Sequence, residues 1–349
     1  MFKKIIVIFV FTALLAGCSG KNTNRLGRLE VIKKVEFEEP LTPMSTVKSG
    51  NNYIAFDAVQ RRIVIFNKNG QILYSYEKHG KGPGEYLREE DLFLLGIYEN
   101  KLYVLEYARN RVLIFNIENN SKLEYYDEFS INDGQIITGG ISPDGKLYLN
   151  EMIGEKLFRK YDRDGNFING LIDKEKTNLD RLSAEEIKQH YVDNIFIPHF
   201  SENGFVLTGI FNKHIKFYKK SGEDTELLED TIIKQYQEKG YNSKTQQSKN
   251  QREVYLENIG IAGSGILKGS YYMGLAPSNE KNSLLNKYNL KGDYIGSYLI
   301  ESDINMKIEN LFLFDNDEII FTKTKRENRD DSFKRETDYF FIAKLVENN

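Results

Sequence analysis

Apolar and polar positions alternate along this chain in short runs bounded by turn residues. That pattern predicts strands throughout and leaves no long segment with the 3.6-residue period of a helix. The clearest stretch is YIAFDAVQRRIVIFNKNG (53–70), two apolar runs around a polar turn, the second ending in an aromatic and a glycine-containing turn. The same order returns in LYVLEYARNRVLIFNIEN (102–119), which places Glu106 on Asp57, Arg111 on Arg62 and Phe115 on Phe66. Weaker copies follow at 146–165, 204–222 and 270–292, and a last one is split between EIIFTK (318–323) and DYFFIAKL (338–345).

Each of these pairs is preceded by one apolar run (LFLLGIY, QIITGGI, NIFIPHF, NLFLFDN) and followed by another (QILYSYE, KLEYYDEF, NFINGLI, DYIGSYLI). A repeat of about 45 residues with room for four short strands is the signature of a propeller blade. The predicted fold is all-β: a six-bladed β-propeller of four-stranded antiparallel blades, at about 41–78, 90–129, 135–173, 194–230, 259–300 and 309–347. The last unit ends after its third strand, and residues 28–38, containing LEVIKKVEF, are expected to supply the missing outer strand and so close the ring. Two insertions, 173–194 and 231–258, are expected to be partly helical; in the first, Ser183 and Glu186 form a capping box.

The segment KHGKGPGEYL (78–87) has the glycine density of a phosphate loop, but no Lys-Ser or Lys-Thr follows, and the dinucleotide spacing also fails. It is expected instead to carry the chain from the outermost strand of blade 1 to the innermost strand of blade 2, with Gly82, Pro83, Gly84 and Tyr86 shaping the crossing. Together, YIAFDAVQRRIVIFNKNGQILYSYEKHGKGPGEY resembles an NHL-type propeller repeat, and its GKGPGEY connection is similar to that of the six-bladed β-propeller lipoproteins.

The start of the chain fits that resemblance. MFKKIIVIFVFTALLAGCSG has a basic beginning and an apolar run too short to span a bilayer, and Leu15-Ala16-Gly17-Cys18 resembles a lipobox. The expected organisation is a signal peptide at 1–17, lipid attachment at Cys18, a linker at 18–27 and the propeller at 28–349. The implied location is the bacterial cell envelope, with the membrane as a partner through lipidated Cys18. Ser19 resembles the outer-membrane sorting pattern, and the lack of an acidic cluster in SGKNTNRLG favours the periplasmic side over the surface.

Cys18 is the only cysteine in 349 residues, so the mature chain has no internal disulfide, thiolate metal site or catalytic thiol. The net charge of −3 and 28% charged residues describe a folded protein and do not suggest a nucleic-acid partner. The 22 Phe, 22 Tyr and 27 Gly suit strands and tight turns.

In an up-and-down blade, the connection between second and third strands and the connection to the next blade share one face of the disc. That face should carry both insertions and the candidate binding residues Arg61, Lys81, Arg88, Tyr107, Arg109, His190 and Tyr191. Asp57 with Arg62 and Glu106 with Arg111 are expected to be cross-strand pairs of the repeat. His79, His190, His199 and His214 lie at no metal-ligand spacing, YDRDGN (161–166) lacks the acids of a calcium loop, AGSG (262–265) is not a nucleophile elbow, and SPDGK (142–146) reads as a turn. No catalytic residue, metal or cofactor is assigned. The expected function is an envelope binding module for a small molecule, glycan, peptide or protein. The alternative is a carboxylate- or metal-dependent hydrolase or lyase at the propeller axis, for which the predicted first strands offer only Asp315.

Overall fold

The structure, a computed structural model, describes residues 24–348 apart from 89–91, 133, 175–193, 210–213, 222–223, 234–259, 277–282, 302–305, 315–317, 328–331 and 336–338. Cys18, His190, Tyr191, Asp315 and most of both insertions therefore lie outside the described residues.

Strand β1 (Arg25–Glu36) precedes four separate antiparallel sheets of four strands each. Blade 1 is β2 (Pro43–Ser49), β3 (Asn52–Asp57), β4 (Arg62–Asn67) and β5 (Ile72–Tyr76). Blade 2 is β6 (Leu92–Tyr98), β7 (Lys101–Glu106), β8 (Arg111–Glu118) and β9 (Lys122–Ser130). Blade 3 is β10 (Gln135–Ile141), β11 (Leu147–Ile153), β12 (Lys156–Tyr161) and β13 (Phe167–Asp173). Blade 4 is β14 (Phe196–Ser201), β15 (Gly204–Gly209), β16 (His214–Ser221) and β17 (Asp224–Ile232).

A nine-stranded sheet holds two further four-strand units. Blade 5 is β18 (Gly260–Leu267), β19 (Ser270–Ala276), β20 (Ser283–Asn289) and β21 (Tyr294–Ile300). Blade 6 is β22 (Met306–Phe314), β23 (Glu318–Glu327), β25 (Tyr339–Glu347) and, outermost, β1. The charged excursion between β23 and β25 contributes a short strand, β24 (Ser332–Arg335), which pairs with the end of β23.

β1 begins at Arg25, inside the segment expected to be linker, because its first residues have two partners. It runs antiparallel to β25 from Gly27↔Glu347 to Glu36↔Tyr339, and Arg25–Arg28 also pair in parallel with Ser297–Leu299 of β21. The start of β1 thus staples blade 5 to blade 6. Gly27 is required there, since a Cβ would come within 1.9 Å of the Val346 carbonyl oxygen.

Strand alternation explains why the middle strands read as unbroken apolar runs: both faces of each blade are covered by its neighbours. Ile54 and Phe56 face blade 2, whereas Tyr53 and Ala55 face blade 6. Six apolar clusters fill the seams between blades 1/2, 2/3, 3/4, 4/5, 5/6 and 6/1, and the innermost strands touch in sequence from β2 round to β22 and back to β2. The ring is closed, so every blade interface is also a core.

Candidate functional site

Two faces of the disc differ in chemistry. The face bearing the connections between blades is organised around the 78–87 loop. Tyr86 is fully buried, with its hydroxyl 2.9 Å from the carbonyl oxygens of Arg61 and Tyr76. Gly84, at φ 72°, sits where a Cβ would meet the Tyr125 ring at 2.7 Å, and its N–H donates to Glu128 Oε2 at 3.1 Å. Gly82 N–H caps the turn on Glu85 Oε2 at 2.8 Å.

Blade 2 holds this loop through its arginines. Arg111 Nε donates to Glu106 Oε2 at 2.6 Å and its other nitrogens reach Glu128 Oε1 at 2.7 Å and the Glu85 carbonyl. Glu106, with no exposed surface, accepts the Leu87 N–H on its second oxygen at 2.8 Å. In blade 1 the equivalent Arg62 binds Asp57 Oδ2 at 3.3 Å, but its outer nitrogen meets the Glu39 carboxylate in place of a loop carbonyl. The repeated acid–arginine pair is a clasp that fastens each incoming connection to its blade.

The sequence-derived binding residues do not form one constellation. Arg109 donates to the carbonyls of Glu85 and Gly80 and so belongs to the clasp. Tyr107 packs on the apolar seam between blades 2 and 3. Arg61 is half-buried in the left-handed turn before β4, at φ 59°, while Lys81 and Arg88 are exposed.

The opposite face carries the hairpins between first and second strands. At its centre a cavity of about 640 Å³ opens on the propeller axis, with walls that include Thr46, Lys48, Asn51, Ile141 and Leu313. Lys48 Nζ lies 3.3 Å from Glu318 Oε1 across the seam to blade 6. Glu318 also accepts from Lys68 Nζ at 2.6 Å and from the Tyr53 hydroxyl. Burial pushes the Glu318 carboxyl upward, but the hydrogen bonds from Lys68 and Tyr53 and the charge of Lys48 outweigh it and hold it below the ordinary value. Burial and the bond to Glu318 raise the Tyr53 phenol strongly, so it stays a donor. Among the described residues the two ammonium groups share a single carboxylate, which leaves the described cluster net positive.

A second polar group lies between blades 4 and 5. His199 Nε2, on innermost strand β14, is 2.8 Å from Ser264 Oγ on innermost strand β18, and Ser264 Oγ is 3.3 Å from Thr208 Oγ1, which bonds the Tyr271 hydroxyl. Burial pushes His199 down to about 4, and no charged neighbour opposes that shift. The imidazole is therefore neutral at ordinary pH, and among the described residues it has no carboxylate of the kind that orients the base of a catalytic triad. Sequence reasoning missed both this pair and the Lys48 cluster, because each joins strands of different blades and neither follows the repeat.

Residues 35–259, more than half of the chain, match a family described as 6-bladed beta-propeller. The chain belongs to that family. Its sequence carries the family's match through blades 1 to 4, where the clasp and most of the axial wall lie. A Bacteroides fragilis protein described, by inference, as exported has a similar solved structure, with a TM-score of 0.58, 12% identity and coverage of 92% of this chain and 96% of that one. A Lactobacillus plantarum protein of solved structure gives a TM-score of 0.49 at 11% identity, over 88% of this chain and 89% of that one. No curated protein matches this 6-bladed beta-propeller chain in sequence.

Proposed function

We propose that this protein is a lipid-anchored, extracytoplasmic binding module that receives a small ligand at the axial mouth on its hairpin face. The single observation that carries this reading is the axial cavity of about 640 Å³, which lies within the usual size range for ligand sites and is lined by both polar and apolar residues. The closed ring around it makes the walls rigid. On the other face, Arg109 and Arg111 already serve the clasp.

The Leu15-Ala16-Gly17-Cys18 sequence supports anchoring, and the similar Bacteroides fragilis structure, described as that of an exported protein, agrees with a location outside the cytoplasm. β1 starts on the hairpin face, beside the turn at Asn289–Asp293, because Asn24 bonds Ile295 and Ser297. Arg25 lies seven positions after Cys18, a reach of at most about 25 Å. A lipid on Cys18 thus keeps the hairpin face near the membrane, where a small molecule enters easily and a folded partner does not.

The test is thermal unfolding of the soluble chain against a panel of small molecules. A ligand at about 100 times its Kd adds roughly 2.7 kcal/mol. Stabilisation lost in Lys48→Met supports the axial mouth; stabilisation that survives this change but is lost in Lys81 and Arg88 variants moves the site to the opposite face.

A second reading, a hydrolase, has one observation in its favour, the hydrogen-bonded Ser264 and His199. A base held near 4 is poorly matched to proton abstraction at neutral pH. Labelling of Ser264 by a fluorophosphonate, abolished in His199→Gln, would favour the hydrolase.

A further inference from the structure

We infer that the axial mouth binds small organic carboxylates with an apolar body, and that Lys48 is the residue that receives the carboxylate. This rests on the axial mouth being the ligand site.

The charge comes first. Lys48 keeps 17% of its side chain exposed and lines the cavity, while Glu318 behind it is 9% exposed and lies under Lys48 and Lys68 together. Among the described residues one buried carboxylate faces two ammonium groups, and this excess of positive charge at the cavity wall favours an anion entering the cavity. Lys48 offers three donors, and its contact with Glu318, at 3.3 Å, is the longer of the two lysine contacts.

Donors beside it suit a carboxylate. Thr46 and Lys48 are two apart on β2, and so on the same face of the strand. The Thr46 hydroxyl is buried without a hydrogen-bond partner among the described residues, an unusual state for a polar group at a cavity wall. Asn51, on the hairpin that follows, adds a side-chain amide at the rim. A carboxylate held by Lys48 accepts from Asn51 at the rim, and from Thr46 once that hydroxyl turns outward to the cavity.

The rest of the wall selects the body of the ligand. Ile141 from blade 3 and Leu313 from blade 6 line the same cavity, so part of its wall is apolar. An inorganic anion such as phosphate would leave that surface uncovered. A carboxylate attached to a short alkyl or aryl group covers it.

Isothermal titration of the soluble chain with butyrate, benzoate and phenylacetate, each beside its neutral amide and with inorganic phosphate as control, tests the inference. The expected result is that at least one acid binds at least tenfold more tightly than its amide and than phosphate. Lys48→Met should weaken the acid about ten- to hundredfold, the size of a lost charge-assisted hydrogen bond, and Thr46→Val should weaken it severalfold. Glu318→Gln is the diagnostic variant. It removes the carboxylate that competes for Lys48 and should tighten acid binding, whereas a purely structural Lys48 predicts no gain. If an acid and its amide bind equally and Lys48→Met weakens both, the axial mouth stands and the carboxylate inference falls. If none of the acids binds, the inference falls as well. Acid binding unchanged in the Lys48, Thr46 and Glu318 variants overturns both the inference and the axial site.

Discussion

Ser264 and His199 stand 65 residues apart in sequence and 2.8 Å apart in space, joining the innermost strands of blades 4 and 5. Because the half-buried His199 is held neutral, protonating it opposes folding. Its folded value of about 4 lies below the unfolded value of about 6.5, so the unfolded chain takes up the proton first. The contribution is present in full above pH 6.5 and is lost as pH falls towards 4. Over that window the loss is about 2 to 3 kcal/mol. Urea unfolding at pH 7.5 and 4.5 should show this drop in the wild type and a clearly smaller one in His199→Gln. Equal drops in both would mean that the imidazole is not held neutral.

The clasp makes a different prediction, one that holds at neutral pH. Glu106→Ala leaves Arg111, only 6% exposed, without its closest carboxylate, and removes the acceptor of the Leu87 N–H. Breaking one member of a buried ion pair costs about 3 to 5 kcal/mol. Asp57→Ala should cost less than Glu106→Ala, because the Asp57–Arg62 contact is the longer one, at 3.3 Å against 2.6 Å, and Arg62 keeps two carboxylates, Glu39 and Glu77, where Arg111 keeps Glu128. Denaturant unfolding of the two variants checks the order; the reverse order would remove the loop-clasping role of Arg111.

Ring closure is concentrated in a few residues at the chain ends. Gly27→Val places a side chain against the Val346 carbonyl, in the segment where β1 pairs with both β21 and β25. The variant should lose several degrees of thermal stability, and hydrogen exchange should quicken first at 297–299 and 345–347. Faster exchange confined to blades 1 and 2 would show that β1 does not hold the ring shut.

These residues also show where the sequence is informative. Asp57/Arg62 and Glu106/Arg111 recur at equal spacing because each pair sits across one hairpin, so blades 1 and 2 and the role of the GKGPGEY loop are legible from local pattern. Lys48 and Glu318 are 270 residues apart, and their contact exists only because the ring closes blade 6 on blade 1. No repeat encodes that junction. Arg109 misleads in the opposite direction: an arginine in a polar turn reads as a free cation, and only the folded loop reveals the carbonyls of Gly80 and Glu85 that take its donors. Pattern reports what recurs in every blade, whereas the candidate site arises where blades differ.

The proposed lipid anchor yields the last prediction. Asn24 is fixed to Ile295 and Ser297 on the hairpin side of blade 5, so a lipid on Cys18 pulls on that edge. Reaching the membrane with the opposite face would require the tether to run the full depth of the disc. β21 alone has seven residues, roughly 23 Å of strand, which consumes the tether's whole length of about 25 Å. Since Cys18 is the only cysteine, a single introduced cysteine can be labelled without ambiguity once Cys18 carries its lipid. A fluorophore at Lys291, exposed in the blade 5 turn on the hairpin face, should be quenched by a quencher borne on lipid in vesicles carrying the lipidated protein. The same fluorophore at Lys81, exposed on the other face, should be quenched much less. Stronger quenching at Lys81 would reverse the orientation, and an absence of lipid on Cys18 would remove the anchor itself.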